Sequence, residues 1–123
     1  MQDKTRNRIA IVDDDEAVRD SLRFLLEAAG HRIDTYESAA RFLAEADAAR
    51  IACLVLDQQM PEVSGLELLA QLRSRGVEVP VFLMVSTSAA AVSRRARELG
   101  VLDVLEKPLA ADELLPRLGA AIA

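Results

Sequence analysis

A chain of 123 residues, 51% of them apolar, is long enough to bury one core and fits a single globular domain. Its net charge of −5 argues against general affinity for nucleic acid, and no apolar run approaches the roughly 20 residues needed to span a membrane. The lone cysteine, Cys53, excludes a disulfide framework, fits a reducing cytoplasm and is expected in the core.

In chain order, residues 1–7 read as a short polar leader without signal-sequence character. A β-branched run over 8–13 predicts the first strand. A helix follows with Val18, Leu22, Leu25 and Ala29 on one face, stopped by Gly30. Residues 31–36 alternate weakly, as an outer strand would, and Ser38 suits the N-cap of a helix carrying Phe42, Leu43 and Ala46. Residues 51–57 are continuously apolar up to Asp57, the mark of a central parallel strand covered on both faces. A helix over about 64–75 ends at Gly76, strand 81–85 follows Pro80, a helix over 89–99 stops at Gly100, and strand 102–106 leads to a last helix from about 111. Pro116 falls inside that helix, which therefore either starts late, near Leu115, or is kinked.

Five alternating βα units with short connections predict an α/β fold, a doubly wound (βα)5 flavodoxin-like domain with parallel strand order 2-1-3-4-5. Ligands in such sheets bind beyond the carboxyl ends of the strands, where the strand order reverses. Asp13 and Asp14 end the first strand, Asp57 ends the third, and Lys107 follows the fifth. Three carboxylates gathered there repel unless a cation joins them, and Mg²⁺ is commonly held by one or two carboxylates together with a phosphate. Lys107 could pair with the same phosphate as a mobile point charge. His31, with no second histidine or cysteine to join it, is expected as an ordinary strand-edge residue.

The segments Ile11-Val12-Asp13-Asp14-Asp15-Glu16, Leu56-Asp57-Gln58-Gln59-Met60-Pro61, Ser64-Gly65 and Glu106-Lys107-Pro108 resemble the signatures of bacterial two-component response-regulator receiver domains, and most closely their FixJ-like branch. The likeness runs from residue 8 to 123. It implies that Asp57 accepts a phosphoryl group from a histidine kinase or phosphotransfer protein and that the protein is cytoplasmic. Asp13, Asp14, Asp57 and the main-chain carbonyl of Gln59 would hold Mg²⁺, Lys107 would contact the phosphate, and the Lys107–Pro108 bond would be cis. Helix 4, strand 5 and helix 5 would form the signalling and homodimer face. Arg94, Arg95 and Arg97 on that helix read either as a solvated face or as part of this partner surface.

The chain also departs from the pattern. The position where receivers carry a phosphate-sensing hydroxyl falls on Val85 when aligned without gaps, with Ser86 next in line if the loop shifts by one residue. The partner aromatic of the switch is Val104. Gln59 stands two residues beyond Asp57, where magnesium-dependent aspartyl-phosphate phosphatases commonly place a second acid. Three functional expectations follow, in this order: a phosphoacceptor receiver that hydrolyses its own acyl phosphate only slowly, a degenerate receiver acting as a constitutive interaction module, and such a phosphatase.

Overall fold

Short apolar runs make the sheet, and polar caps start most of the helices around it. The computed structural model describes residues 6–122. Strands β1 (Arg8–Val12), β2 (Arg32–Tyr36), β3 (Ile51–Asp57), β4 (Val81–Val85) and β5 (Asp103–Glu106) form one parallel sheet in the order β2-β1-β3-β4-β5. Helices α1 (Glu16–Ala28), α2 (Ala39–Glu45), α3 (Gly65–Ser74), α4 (Ala90–Glu98) and α5 (Ala111–Ile122) connect or follow the strands. The predicted fold and strand order are both present.

Strand alternation divides the core into two layers. On one face, Val12, Leu54, Leu56, Leu83 and Val85 pack with Phe42 of α2, Leu68, Leu69 and Leu72 of α3, and Ala96 of α4. On the other, Ile9, Ile11, Cys53, Val55, Phe82, Met84 and Leu105 meet Leu22 and Leu26 of α1 and Leu114 and Leu118 of α5. Cys53 is fully buried, which pushes its thiol pKa up to about 12.

Asp15 caps α1 by accepting from the N–H groups of Ala17 and Val18 at 2.9 and 3.3 Å. Ser38 caps α2 as expected, and Ser64 with Glu67 forms a reciprocal capping box on α3. Helix α4 has no side-chain cap, and the residues leading into it, 86–89, are exposed. Its other end is held. Arg73 of α3 donates to the carbonyls of Leu99, Val77 and Val79 at 2.8–3.0 Å, tying the ends of α3 and α4 to the approach of β4.

Several expectations need correction. Leu26, rather than Leu25 or Ala29, joins Leu22 in the core, because the i, i+4 pair faces the sheet directly while Leu25 sits on the flank and Ala29 caps the helix in solvent. Helix α5 does not start late: it runs from Ala111 through Pro116. The proline costs the bond to the Asp112 carbonyl, but buried Leu114 and Leu118 anchor the helix on either side of it. A 3₁₀ turn at Ala48–Arg50, capped by Asp47, was not foreseen. Most of the expected polar leader, residues 1–5, lies outside the described residues; Arg6 and Asn7 are exposed.

Candidate functional site

Residues two apart on a strand face the same way, and here that rule gathers the polar groups. Asp13 continues the face of Ile9 and Ile11, Asp57 that of Cys53 and Val55, and Lys107 that of Leu105. All three therefore emerge at the carboxyl edge above the α1/α5 layer. Pairing of Val12 with Leu56 and of Asp57 with Met84 sets the strand ends level.

The carboxylates of Asp13 and Asp57 are buried, at 0% and 1% relative exposure, while Asp14 is open to solvent. One oxygen from each of the three lies within 4.8 Å of the others. Lys107 Nζ stands 2.8 Å from Asp13 Oδ2 and 3.1 Å from Asp57 Oδ1. The 2.8 Å approach is too oblique for a directed hydrogen bond, so the buried Asp13 Oδ2 accepts none. Asp13 Oδ1 accepts the Asp15 N–H at 2.9 Å, and the Asp13 carbonyl accepts from Arg19 at 2.7 Å. The Gln59 N–H donates to Asp57 Oδ1 at 3.4 Å.

Burial, then the nearby charge of Asp13, pushes the Asp57 pKa up to about 6 against the pull of Lys107 and the Gln59 N–H. Partial burial works against the Lys107 ammonium, but its close ion-pair contacts with the Asp13 and Asp57 carboxylates outweigh this and raise its pKa. A set of three carboxylates with one buried oxygen unbonded, and no sulfur or imidazole in reach, suits a hard divalent cation.

Close packing behind Asp57 fixes its height. A Cβ on Gly65 would lie 2.4 Å from the Asp57 carbonyl oxygen, so only glycine lets α3 begin this close to β3. Gln58 completes the junction: its carbonyl accepts the Gly65 N–H at 3.1 Å and its side-chain oxygen the Leu66 N–H at 2.8 Å. Neither Gln58 nor Arg19 was singled out from the sequence for these bonds. Each contact depends on a turn geometry that spacing alone does not reveal.

The three switch positions separate in space. Val85 is buried in the layer opposite the carboxylates. Ser86 lies on the Asp57 face and lines a groove of about 490 Å³ with Met84, Lys107, Pro108, Leu109 and residues of α1. Val104 is half-buried against the α2–α4 layer. The Lys107–Pro108 peptide is cis.

The response regulator receiver domain family matches residues 9–119. The chain belongs to that family. This receiver domain is 35% identical over 118 residues to the transcriptional regulatory protein FixJ of Bradyrhizobium diazoefficiens, covering 96% of this chain and 58% of the relative. It is 42% identical over 100 residues to FixJ of Azorhizobium caulinodans, covering 81% and 47%. The crystal structure of FixJ-N superposes with a TM-score of 0.82 at 34% identity, over 99% of this chain and 94% of that one. The receiver domain thus lies on the FixJ-like side of the family and spans about half the length of the curated relatives it matches. Membership places it among the signalling receivers of two-component systems; the phosphatase and constitutive-module alternatives are not favoured. Among the described residues no helix is long and apolar enough to cross a membrane.

Proposed function

We propose that residues 8–123 form a cytoplasmic phosphoacceptor module, preceded by the polar leader of residues 1–7, in which Asp57 receives a phosphoryl group from a histidine kinase or phosphotransfer protein. The observation that carries this is a buried Asp57 carboxylate beside Asp13, with the Lys107 ammonium in contact with both and Asp14 within reach. An Asp57 oxygen attacks the phosphorus of a donor phosphohistidine. The O–P bond forms as the P–N bond breaks, and the electron pair returns to the donor imidazole, which takes up a proton.

Lys107 already spans both buried carboxylates, so its ammonium is poised to follow the new phosphoryl oxygens. The side chains of Asp13, Asp14 and Asp57 with the Gln59 carbonyl would hold Mg²⁺, which supplies charge neutralisation at the transferring group. Asp13 is fixed twice, its carbonyl by Arg19 and its side-chain Oδ1 by the Asp15 N–H, so Oδ2 keeps one direction, toward Lys107. The acyl phosphate then hydrolyses slowly, as a timer rather than a metabolic turnover, and the face built from α4, β5 and α5 carries the signal and a homodimer contact.

Incubation with Mg²⁺ and a small acyl phosphate tests the proposal by intact mass. The wild-type chain is expected to gain one phosphoryl group, and Asp57→Asn or removal of Mg²⁺ to abolish the gain. Equal gain by Asp57→Asn would overturn the assignment.

A further inference from the structure

Val85 and Ser86 stand on opposite faces of the sheet edge, which raises the question of which hydroxyl, if any, meets an anion on Asp57. Val85 has none, and its side chain is locked among the apolar residues that pack on α2–α4. Its carbonyl is also engaged, accepting the Lys107 N–H at 2.8 Å. Turning residue 85 toward Asp57 would therefore break both packing and pairing and still bring only methyl groups.

Ser86 has the opposite situation. Alternation continues the Phe82–Met84 face to Ser86, the face shared by Asp57 and Lys107. Met84 is level with Asp57 in the sheet, so Ser86 lies two residues, roughly 6–7 Å, further along the strand direction. That is the side on which a group attached to Asp57 must project, because the strand below it is filled by buried Val55 and Cys53. The hydroxyl shares its groove with Lys107 and, among the described residues, makes no hydrogen bond.

The loop that begins at Ser86 is fastened at its far end. The Ser88 N–H donates to Glu106 Oε1 at 3.2 Å, and the Ser88 hydroxyl donates to the same oxygen. Glu106 directly precedes Lys107 and pairs with Val85 across the sheet. A pull on Ser86 therefore reaches Ser88 within two residues, then Glu106 at the edge of β5 and the uncapped start of α4.

We infer that Ser86 supplies the hydroxyl that contacts the phosphoryl group on Asp57, and that the Ser88–Glu106 tether carries this contact to β5 and α4 in place of residues 85 and 104. The inference rests on the phosphoacceptor reading and deepens it. Its contact is a neutral donor meeting a charged acceptor, formed only when the anion is present.

Beryllofluoride with Mg²⁺ serves as the probe, read by amide NMR on the wild-type chain and on Ser86→Ala, Ser86→Thr, Ser88→Ala and Asp57→Asn. The wild type is expected to show Asp57-dependent shifts at Gln58 and Gln59 and also at Ser88, Glu106 and the first turn of α4. Ser86→Ala should bind the mimic about tenfold more weakly, as for loss of one hydrogen bond to a charged group. At saturation it should still shift Gln58 and Gln59 but leave Ser88 and Glu106 at their Mg²⁺-only positions. Ser86→Thr should restore both, and Ser88→Ala should bind normally while losing the response at Glu106. Wild-type affinity and a wild-type response at Ser88 and Glu106 in Ser86→Ala would overturn this inference alone. Absence of any Asp57-dependent response in the wild type would overturn the phosphoacceptor reading beneath it.

Discussion

Lys107 stands between two buried carboxylates and is the one ammonium within contact of both among the described residues. Its removal leaves those charges uncompensated, and breaking a buried pair costs about 3–5 kcal/mol. Because Lys107 keeps 21% of its side chain exposed, Lys107→Ala is expected to lose somewhat less, roughly 2–3 kcal/mol, in urea denaturation without metal. Mg²⁺ should recover part of the loss, since a cation in the same site meets the same oxygens. A variant as stable as the wild type without metal would show that the carboxylates do not depend on this partner.

The Asp57 carboxyl titrates near 6 instead of the ordinary 3.8, so the folded chain holds this proton more tightly than the unfolded chain does. Its contribution is fully present below pH 3.8 and is lost as pH rises through about 6. In metal-free buffer Asp57→Asn should therefore be more stable than the wild type above pH 6, by an amount of order 1–3 kcal/mol, with the advantage shrinking toward pH 4. Paired urea melts across this range check the sign. A variant that is less stable at neutral pH than at acid pH, relative to wild type, would contradict it.

Among the elements, α3 and α5 carry the clearest consequences. Gly65 opens α3 where a Cβ would strike the Asp57 carbonyl. Alanine has the better helix propensity by about 1 kcal/mol, but the clash is with backbone and cannot be relieved by a rotamer change. Gly65→Ala should thus lose about 1–3 kcal/mol and weaken Mg²⁺ binding, because the strand end that presents Asp57 must shift. In α5 the opposite holds. Pro116 is exposed and removes one helix bond, so Pro116→Ala should raise the thermal midpoint, with a gain of up to about 3 kcal/mol.

Much of this element structure was legible in the sequence, for definite physical reasons. The run Ile51 to Leu56 is apolar on both parities because β3 is covered on both faces, and Ser38 and Ser64 announce helix starts through their capping chemistry. The Leu22–Leu26 face was misread because Leu25 and Leu26 are adjacent and either phase satisfies a helical period. Continuity of α5 through Pro116 was not decidable from propensity, since tertiary anchoring by Leu114 and Leu118 outweighs one lost bond. The gathering of Asp13, Asp14, Asp57 and Lys107 follows from strand ends alone. The roles of Gln58, Arg19 and the Ser88–Glu106 tether do not, because each joins segments whose approach only the folded turns define.

For the whole molecule, the sheet serves as a divider. One layer, under α1 and α5, carries Asp13, Asp57 and Lys107 at its upper edge; the other, under α2 to α4, is apolar up to Val85. Chemistry at Asp57 is therefore separated from α4 by the sheet, and the loop from Ser86 to Ala89 is the short path around it. Cys53, in the first layer and fully buried with its thiol pKa pushed up to about 12, should not react with thiol reagents until the chain unfolds; native-state labelling at pH 8 checks this.

The central claim is that Asp57, alone among the carboxylates gathered at this edge, takes up the phosphoryl group. Borohydride reduction of the phosphorylated chain, followed by peptide mapping, tests it most directly, because the hydride converts an aspartyl phosphate to homoserine. Homoserine at position 57 alone, dependent on Mg²⁺ during phosphorylation, is the predicted result. Homoserine at position 13 or 14, or none in a chain that has gained phosphate, would contradict it.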